Sequence, residues 1–243
     1  MSQPLARRLL AEYLGSALLA ALVIGSGIAA AALSQDTGLQ LLENAAATAA
    51  GLFAIILMFG PISGGHFNPV VSLVDAAFGG LSRRDALAYI PVQIAGCISG
   101  AIVANGMFAL TAISISTHHR ASPSHLFSEV IATGGLILLV FALVRSGRAA
   151  TAPAAVGAYI GAAYWFTSST SFANPAISIG RMFSDTFAGI APASVPPFIV
   201  AQLIGGAIAL VLVRVLYPDV SPEAAADVVV AHDADLRPRE AVA

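Results

Sequence analysis

Two stretches decide how this chain reads: Gly64-Gly65-His66-Phe67-Asn68-Pro69-Val70 and Ser171-Phe172-Ala173-Asn174-Pro175-Ala176. In each, the Asn side chain suits a helix cap. Pro follows at the first helical position, where its missing N–H costs nothing and its φ is already helical. Each stretch therefore predicts a helix that begins at its Asn, over about 68–79 and 174–183. Ten to twelve helical residues rise only ~15–18 Å, against ~30 Å of bilayer hydrocarbon. Both are expected as half-helices that enter a membrane without crossing it.

Longer apolar runs surround them at about 9–33, 44–60, 86–110, 126–144, 152–168 and 196–217, which predicts six crossings. Of 243 residues, 58% are hydrophobic and 10% charged, where a soluble domain carries about 25% charged residues. A soluble enzyme is excluded. The basic residues are all Arg, with no Lys, and the net charge is -2, which excludes a polybasic nucleic-acid surface. The single Cys97 supplies neither an intrachain disulfide nor a cysteine-built metal site; no metal and no cofactor are expected. The run after Arg7-Arg8 is long enough to span, so it is expected as the first crossing and not as a signal peptide. Placing the N-terminus inside puts Arg7, Arg8, Arg83, Arg84, Arg145, Arg148, Arg214, Arg237 and Arg239 in the cytoplasm, and only Arg120 and Arg181 outside. Residues 1–217 are expected as one channel domain in the inner (plasma) membrane, and 218–243 as a polar, disordered cytoplasmic tail.

The two signatures belong to an internal repeat. Glu12 precedes Asn68 by 56 residues and Gln93 follows by 25; Glu129, Asn174 and Gln202 recur in the same order at 45 and 28. With three crossings per copy, about 9–110 and 126–217, the second copy enters from the opposite side, an inverted repeat whose broken helices meet near the bilayer midplane. Two helix N-termini then face each other, each worth roughly +0.5 charge, which repels cations and protons. If each Asn carbonyl caps its own helix, its amide hydrogens remain to donate. The expected solute is neutral and accepts hydrogen bonds.

Through Asn68-Pro69-Val70 and Asn174-Pro175-Ala176 within six spans, residues 9 to 217 resemble the aquaporin, or major intrinsic protein, family. The resemblance implies an all-α membrane fold of six helices and two re-entrant half-helices, a pore in each subunit, and a homotetramer in the lipid bilayer. It also implies that Glu12 and Glu129 support the re-entrant loops, with proton relay as the other reading of two ionisable groups inside spans. Counting from the signature Asn residues without gaps, the family's narrow filter becomes Thr48, Ala162, Ser171 and Ile177, a set with no ring and no charge; one residue of slippage would substitute Ala163 or Gly161. Val70 and Ile177 depart from the family's usual Ala and Arg.

Arg181 carries two readings. Helical side chains lean toward the N-terminus, so it could reach back as a filter charge; otherwise it caps the half-helix and pairs with Asp185. His66 lines a cytoplasmic vestibule, senses pH, or is a satisfied loop histidine. The leading function is a passive channel for small neutral solutes, such as glycerol-like polyols or metalloid hydroxides like arsenous acid, and for water. A water-selective channel using Arg181 and a coupled secondary transporter are the alternatives.

Overall fold

In the computed structural model, which describes residues 3–218, the chain forms α1 (Leu5–Leu33), α2 (Thr37–Ser63), α3 (Pro69–Phe78), α4 (Arg83–Met107), α5 (Pro123–Arg145), α6 (Ala152–Phe166), α7 (Pro175–Gly180) and α8 (Val195–Leu216). The expected tail beyond Pro218, with Arg237 and Arg239, lies outside the described residues. Polar caps set the helix starts: Asp36 accepts from Leu39 N, Ser82 from Asp85 N and Ser122 from His125 N. Five helices are long and apolar enough to cross a membrane. The remaining crossing, fifth in chain order, is α6, whose 15 residues are preceded by a 3-10 turn at Ala149–Thr151, about 28 Å in all. The half-helices are α3 and the six-residue α7, which tightens into a 3-10 turn at Arg181–Phe183.

The repeat is visible in the packing. α1 lies along α4 as α5 lies along α8, and α2 meets α6 between the copies. These contacts are backbone-close. A Cβ on Gly100 would stand 2.1 Å from the Ala17 carbonyl oxygen, and one on Gly205 2.4 Å from that of Val130, so only glycine lets these helices approach so nearly. Val70 uses the same kind of space: its Cγ1 would lie 2.4 Å from a Cβ on Gly206 of α8. The extra methyls of Val70 are thus taken up by a glycine on the neighbouring helix.

Each face of the bundle has its own ties. On the face bearing the N-terminus, Arg8 pairs with Asp85 at 2.6 Å and Arg145 donates to the Tyr217 carbonyl at 2.6 Å. On the other face, residues 108–122 run beside 182–191, with Ser116 N donating to Met182 O and Ala191 N to His118 O, both at 2.8 Å.

Candidate functional site: two re-entrant loops and the cavity between them

Each re-entrant loop hangs from one buried glutamate. Glu12 accepts from Ser63 Oγ (2.6 Å), His66 N (3.0 Å), Phe67 N (2.7 Å) and Gln93 Nε2 (2.7 Å). Glu129 accepts from Ser169 Oγ (2.6 Å), Phe172 N (2.9 Å), Ala173 N (2.8 Å) and Gln202 Nε2 (2.7 Å). Each carboxylate thereby satisfies two loop N–H groups that would otherwise be orphaned in an apolar medium. Gln93 and Gln202 each donate a second bond, to Ser72 Oγ and Ser178 Oγ, both at 3.0 Å. Ser63, Ser169, Ser72 and Ser178 were not singled out by the motifs, although the step along the chain from Asn68 to Asn174 also carries Ser63 to Ser169 and Ser72 to Ser178.

The asparagines cap as their position predicts. Asn68 Oδ1 accepts from Val70 N at 2.9 Å, and Asn174 Oδ1 from Ala176 N at 2.9 Å and Ile177 N at 3.3 Å. Read from the sequence, both hydrogens of each amide are free for a solute; the structure uses one of them. Asn68 Nδ2 donates to the Ala173 carbonyl and Asn174 Nδ2 to the Phe67 carbonyl, both at 2.7 Å. One N–H of each remains for a solute. This exchange needs the residue before each Asn in the left-handed region: φ is 47° at Phe67 and 48° at Ala173. The second loop carries further strain, with Thr170 and Ser171 at φ 60° and 52° where the first has Gly64 and Gly65, a cost of about 1–3 kcal/mol per residue.

Between the loops lies a cavity of about 60 Å³, room for roughly four waters. Polar atoms of the loops, Asn68, Asn174 and Ser171 form one side, and Leu19, Val23, Leu136 and Val140 contribute apolar wall. Of the expected filter residues, Thr48, Ser171 and Ile177 line it. Ala162 does not: it is exposed on the outer side of α6. The fifth crossing instead presents Val156, Ile160 and Tyr164, spaced four apart on one face. Two residues turn a helix by about 200°, so counting through the irregular loop 167–174 selected the opposite side of α6. Neither Ala163 nor Gly161 takes the place. Tyr164 OH lies 3.2 Å from Thr48 Oγ1, so the wall contains a ring.

It also contains a charge. Arg181 is buried and lines the cavity. Its Nε donates to the Ala188 carbonyl, and its guanidinium carbon lies 3.4 Å from the Phe172 ring centroid, a cation–π contact. The expected pairing with Asp185 is absent. Asp185 instead accepts from the backbone N–H of Thr117 at 2.8 Å, which holds its carboxyl below the ordinary range, and from the Thr117 hydroxyl. A second guanidinium, missed in the sequence, backs the first: Arg120 donates to the carbonyls of Gly189 and Phe187 at 2.7 and 3.0 Å, 5.6 Å from the same ring. Ser171 Oγ is buried without a hydrogen-bond partner. His66 lines the cavity; its Nδ1 lies 3.0 Å from Ser72 Oγ, while its Nε2 is buried without a hydrogen-bond partner.

An inverted repeat of crossing helices whose two half-helices meet head to head around a small, mostly apolar cavity defines a class of membrane-channel architecture. The chain belongs to the major intrinsic protein family: that family's model matches residues 1–183. It is 48% identical to aquaglyceroporin AqpS of Rhizobium meliloti (strain 1021) over 218 residues, covering 90% of this chain and 93% of the relative. It is 30% identical to aquaporin Z of Brucella melitensis biotype 1 (strain ATCC 23456 / CCUG 17765 / NCTC 10094 / 16M), over 84% and 95% of the two chains. The X-ray structure of the aquaglyceroporin from Plasmodium falciparum superposes with a TM-score of 0.70 at 20% identity, covering 88% of this chain and 98% of that one, a likeness of fold.

Proposed function

We propose that this chain is a passive channel for small uncharged polar solutes, glycerol-like polyols and neutral metalloid hydroxides such as arsenous acid among them, with water passing too. The observation that carries this reading is the cavity, in which two Asn amides, each with one hydrogen to spare, face a wall of aliphatic side chains. A polyol needs both surfaces: its hydroxyls meet the donors and its carbons meet the wall. The aquaglyceroporin name of the 48%-identical relative supports the same solute class. The reading includes a homotetramer, which the family resemblance implies, in the inner (plasma) membrane, with both termini in the cytoplasm on the strength of the Arg distribution.

Arg181 supplies the charge on which a water-selective reading depends. Ile177, where most of the family carries Arg, leaves the filter with that one displaced guanidinium. A coupled transporter needs a site whose occupancy changes; Glu12 and Glu129 are each committed to four hydrogen bonds within the fold. Stopped-flow swelling of proteoliposomes with water, glycerol and arsenite, run side by side, tests the proposal. All three should cross without saturation and without response to membrane potential. Fast water with neither glycerol nor arsenite flux would assign the water-selective alternative, and saturable, gradient-driven uptake the transporter.

A further inference from the structure

Asp75 and Arg181 occupy equivalent places in the two repeats, each seven residues after its signature Asn, and each packs on the residue two before that Asn. In the second repeat the guanidinium of Arg181 lies on the Phe172 ring. In the first, the carboxylate of Asp75 faces His66, with Oδ2 3.4 Å from Nε2 and both side chains 1% accessible.

The carboxylate stands there at a cost. Asp75 is near the C-terminal end of α3 (Pro69–Phe78), where the aligned peptide dipoles are negative and an anion is disfavoured. It is buried, and its Oδ1 has no hydrogen-bond partner, a further penalty. The group that compensates is His66. Its Nδ1 faces Ser72 Oγ at 3.0 Å, and Ser72 Oγ in turn accepts from Gln93 and lies 3.2 Å from the Asn68 carbonyl. Its Nε2 is buried, makes no hydrogen bond, and has Asp75 Oδ2 3.4 Å away. Although His66 belongs to the cavity wall, neither ring nitrogen is offered to the pathway.

We propose that Asp75 is a positioning residue for solute selection: it pins the His66 imidazole with both nitrogens turned out of the pathway, so that this half of the cavity adds no imidazole donor or acceptor to the Asn68 amide. The proposal rests on the neutral-solute channel reading. Remove the carboxylate, and Nε2 loses the charge that faces it; the ring can swing and add a hydrogen-bonding group to the lumen, which favours water over a solute with carbon surface. The other charged and titratable groups around His66 are Glu12 and Arg8 on α1, Tyr89 on α4 with its ring 5.6 Å away, and Asp85, which Arg8 holds at 2.6 Å. The helices opposite, α2 and α5, meet this part of the cavity with Ile56, Leu136 and Val140; Arg145 and Arg214 lie beyond, over Phe78.

The test is the ratio of water to glycerol permeability in proteoliposomes holding the full chain. Asp75→Ala should raise the ratio about threefold to tenfold, the range one hydrogen bond commands. The double variant Asp75→Ala with His66→Ala has no imidazole to release and should return to the wild-type ratio, which a merely structural role for Asp75 would not produce. Should Asp75→Ala not fold, Asp75→Asn carries the test: it keeps the volume but removes the charge facing Nε2, and the ratio should rise above that of the wild type, by less than in Asp75→Ala. An unchanged ratio in Asp75→Ala, a double variant that stays shifted, or, where Asp75→Asn stands in, a ratio equal to that of the wild type overturns the proposal. A wild-type protein that passes no glycerol overturns the channel reading instead.

Discussion

Asn174 performs two tasks with one side chain, which makes its replacement by Asp informative. The carboxylate still caps Ala176 N and Ile177 N, but it cannot donate to the Phe67 carbonyl, and it puts negative charge where paired helix ends were positive. Asn174→Asp should conduct cations in a planar bilayer and lose about 1–3 kcal/mol of stability from the unpaired carbonyl. Normal neutral-solute flux with no cation current would remove Asn174 from the pathway. At the other end of α7, Arg181→Ala should raise glycerol permeability several-fold over water, since it empties a lining position, while Ile177→Arg should lower it. Swelling assays on the pair decide between them: if Arg181→Ala leaves solute ranking unchanged, its guanidinium does not restrict the cavity.

The residues that repeat with a local reason were legible from the sequence. Asn-Pro announces its cap within three residues, and Glu12 and Glu129 stand out because ionisable groups are rare inside apolar spans. Tyr164 was hidden, because its facing depends on the conformation of residues 167–174, which no periodicity counts through. Arg181 reached the cavity because α7 is short and turns into a 3-10 segment. Asp75 was not singled out in the sequence; its equivalence to Arg181 across the repeat is the signal that would have flagged it.

Among elements, the fit of α3 against α8 and the hanging of the loops from α1 and α5 make separate demands. Gly206→Ala should clash with Val70 and lower the thermal midpoint by an amount corresponding to about 1–3 kcal/mol. Adding Val70→Ala should recover most of the loss, since it restores the usual small residue at the contact; a loss that Val70→Ala leaves untouched would mean that Gly206 is needed for another reason. Glu12→Gln and Glu129→Gln should each cost about 3–5 kcal/mol, since a carboxamide presents hydrogens to donors that a buried charge had satisfied. Because the two glutamates hold matching partners, thermal unfolding in detergent should show nearly equal losses. A loss confined to one repeat would show that its loop alone depends on its glutamate.

At the scale of the whole molecule, the backbone is nearly two-fold while the chemistry is not. His66 with Asp75 on one side answers Phe172 with Arg181 on the other, so a buried carboxylate stands behind the wall toward the face of the N-terminus, and a guanidinium lines the cavity toward the opposite face. The repeat accounts for the shape of the cavity, and the departures from it account for the difference between its ends.

The exchanged amides of Asn68 and Asn174 also impose an order of events on synthesis. Asn68 has its capping oxygen satisfied as soon as α3 winds, yet the acceptor for its amide is the carbonyl of Ala173, which leaves the ribosome 105 residues later. Until then the first copy waits with an unfilled donor and an open wall, a nascent half that has inserted but not closed. The second copy completes the first when it arrives, in the manner of a clasp. Chains stopped at Ser169 should therefore be cleared from cells faster than chains stopped after Leu216, by pulse-chase; equal lifetimes would mean that the first copy is finished without its twin.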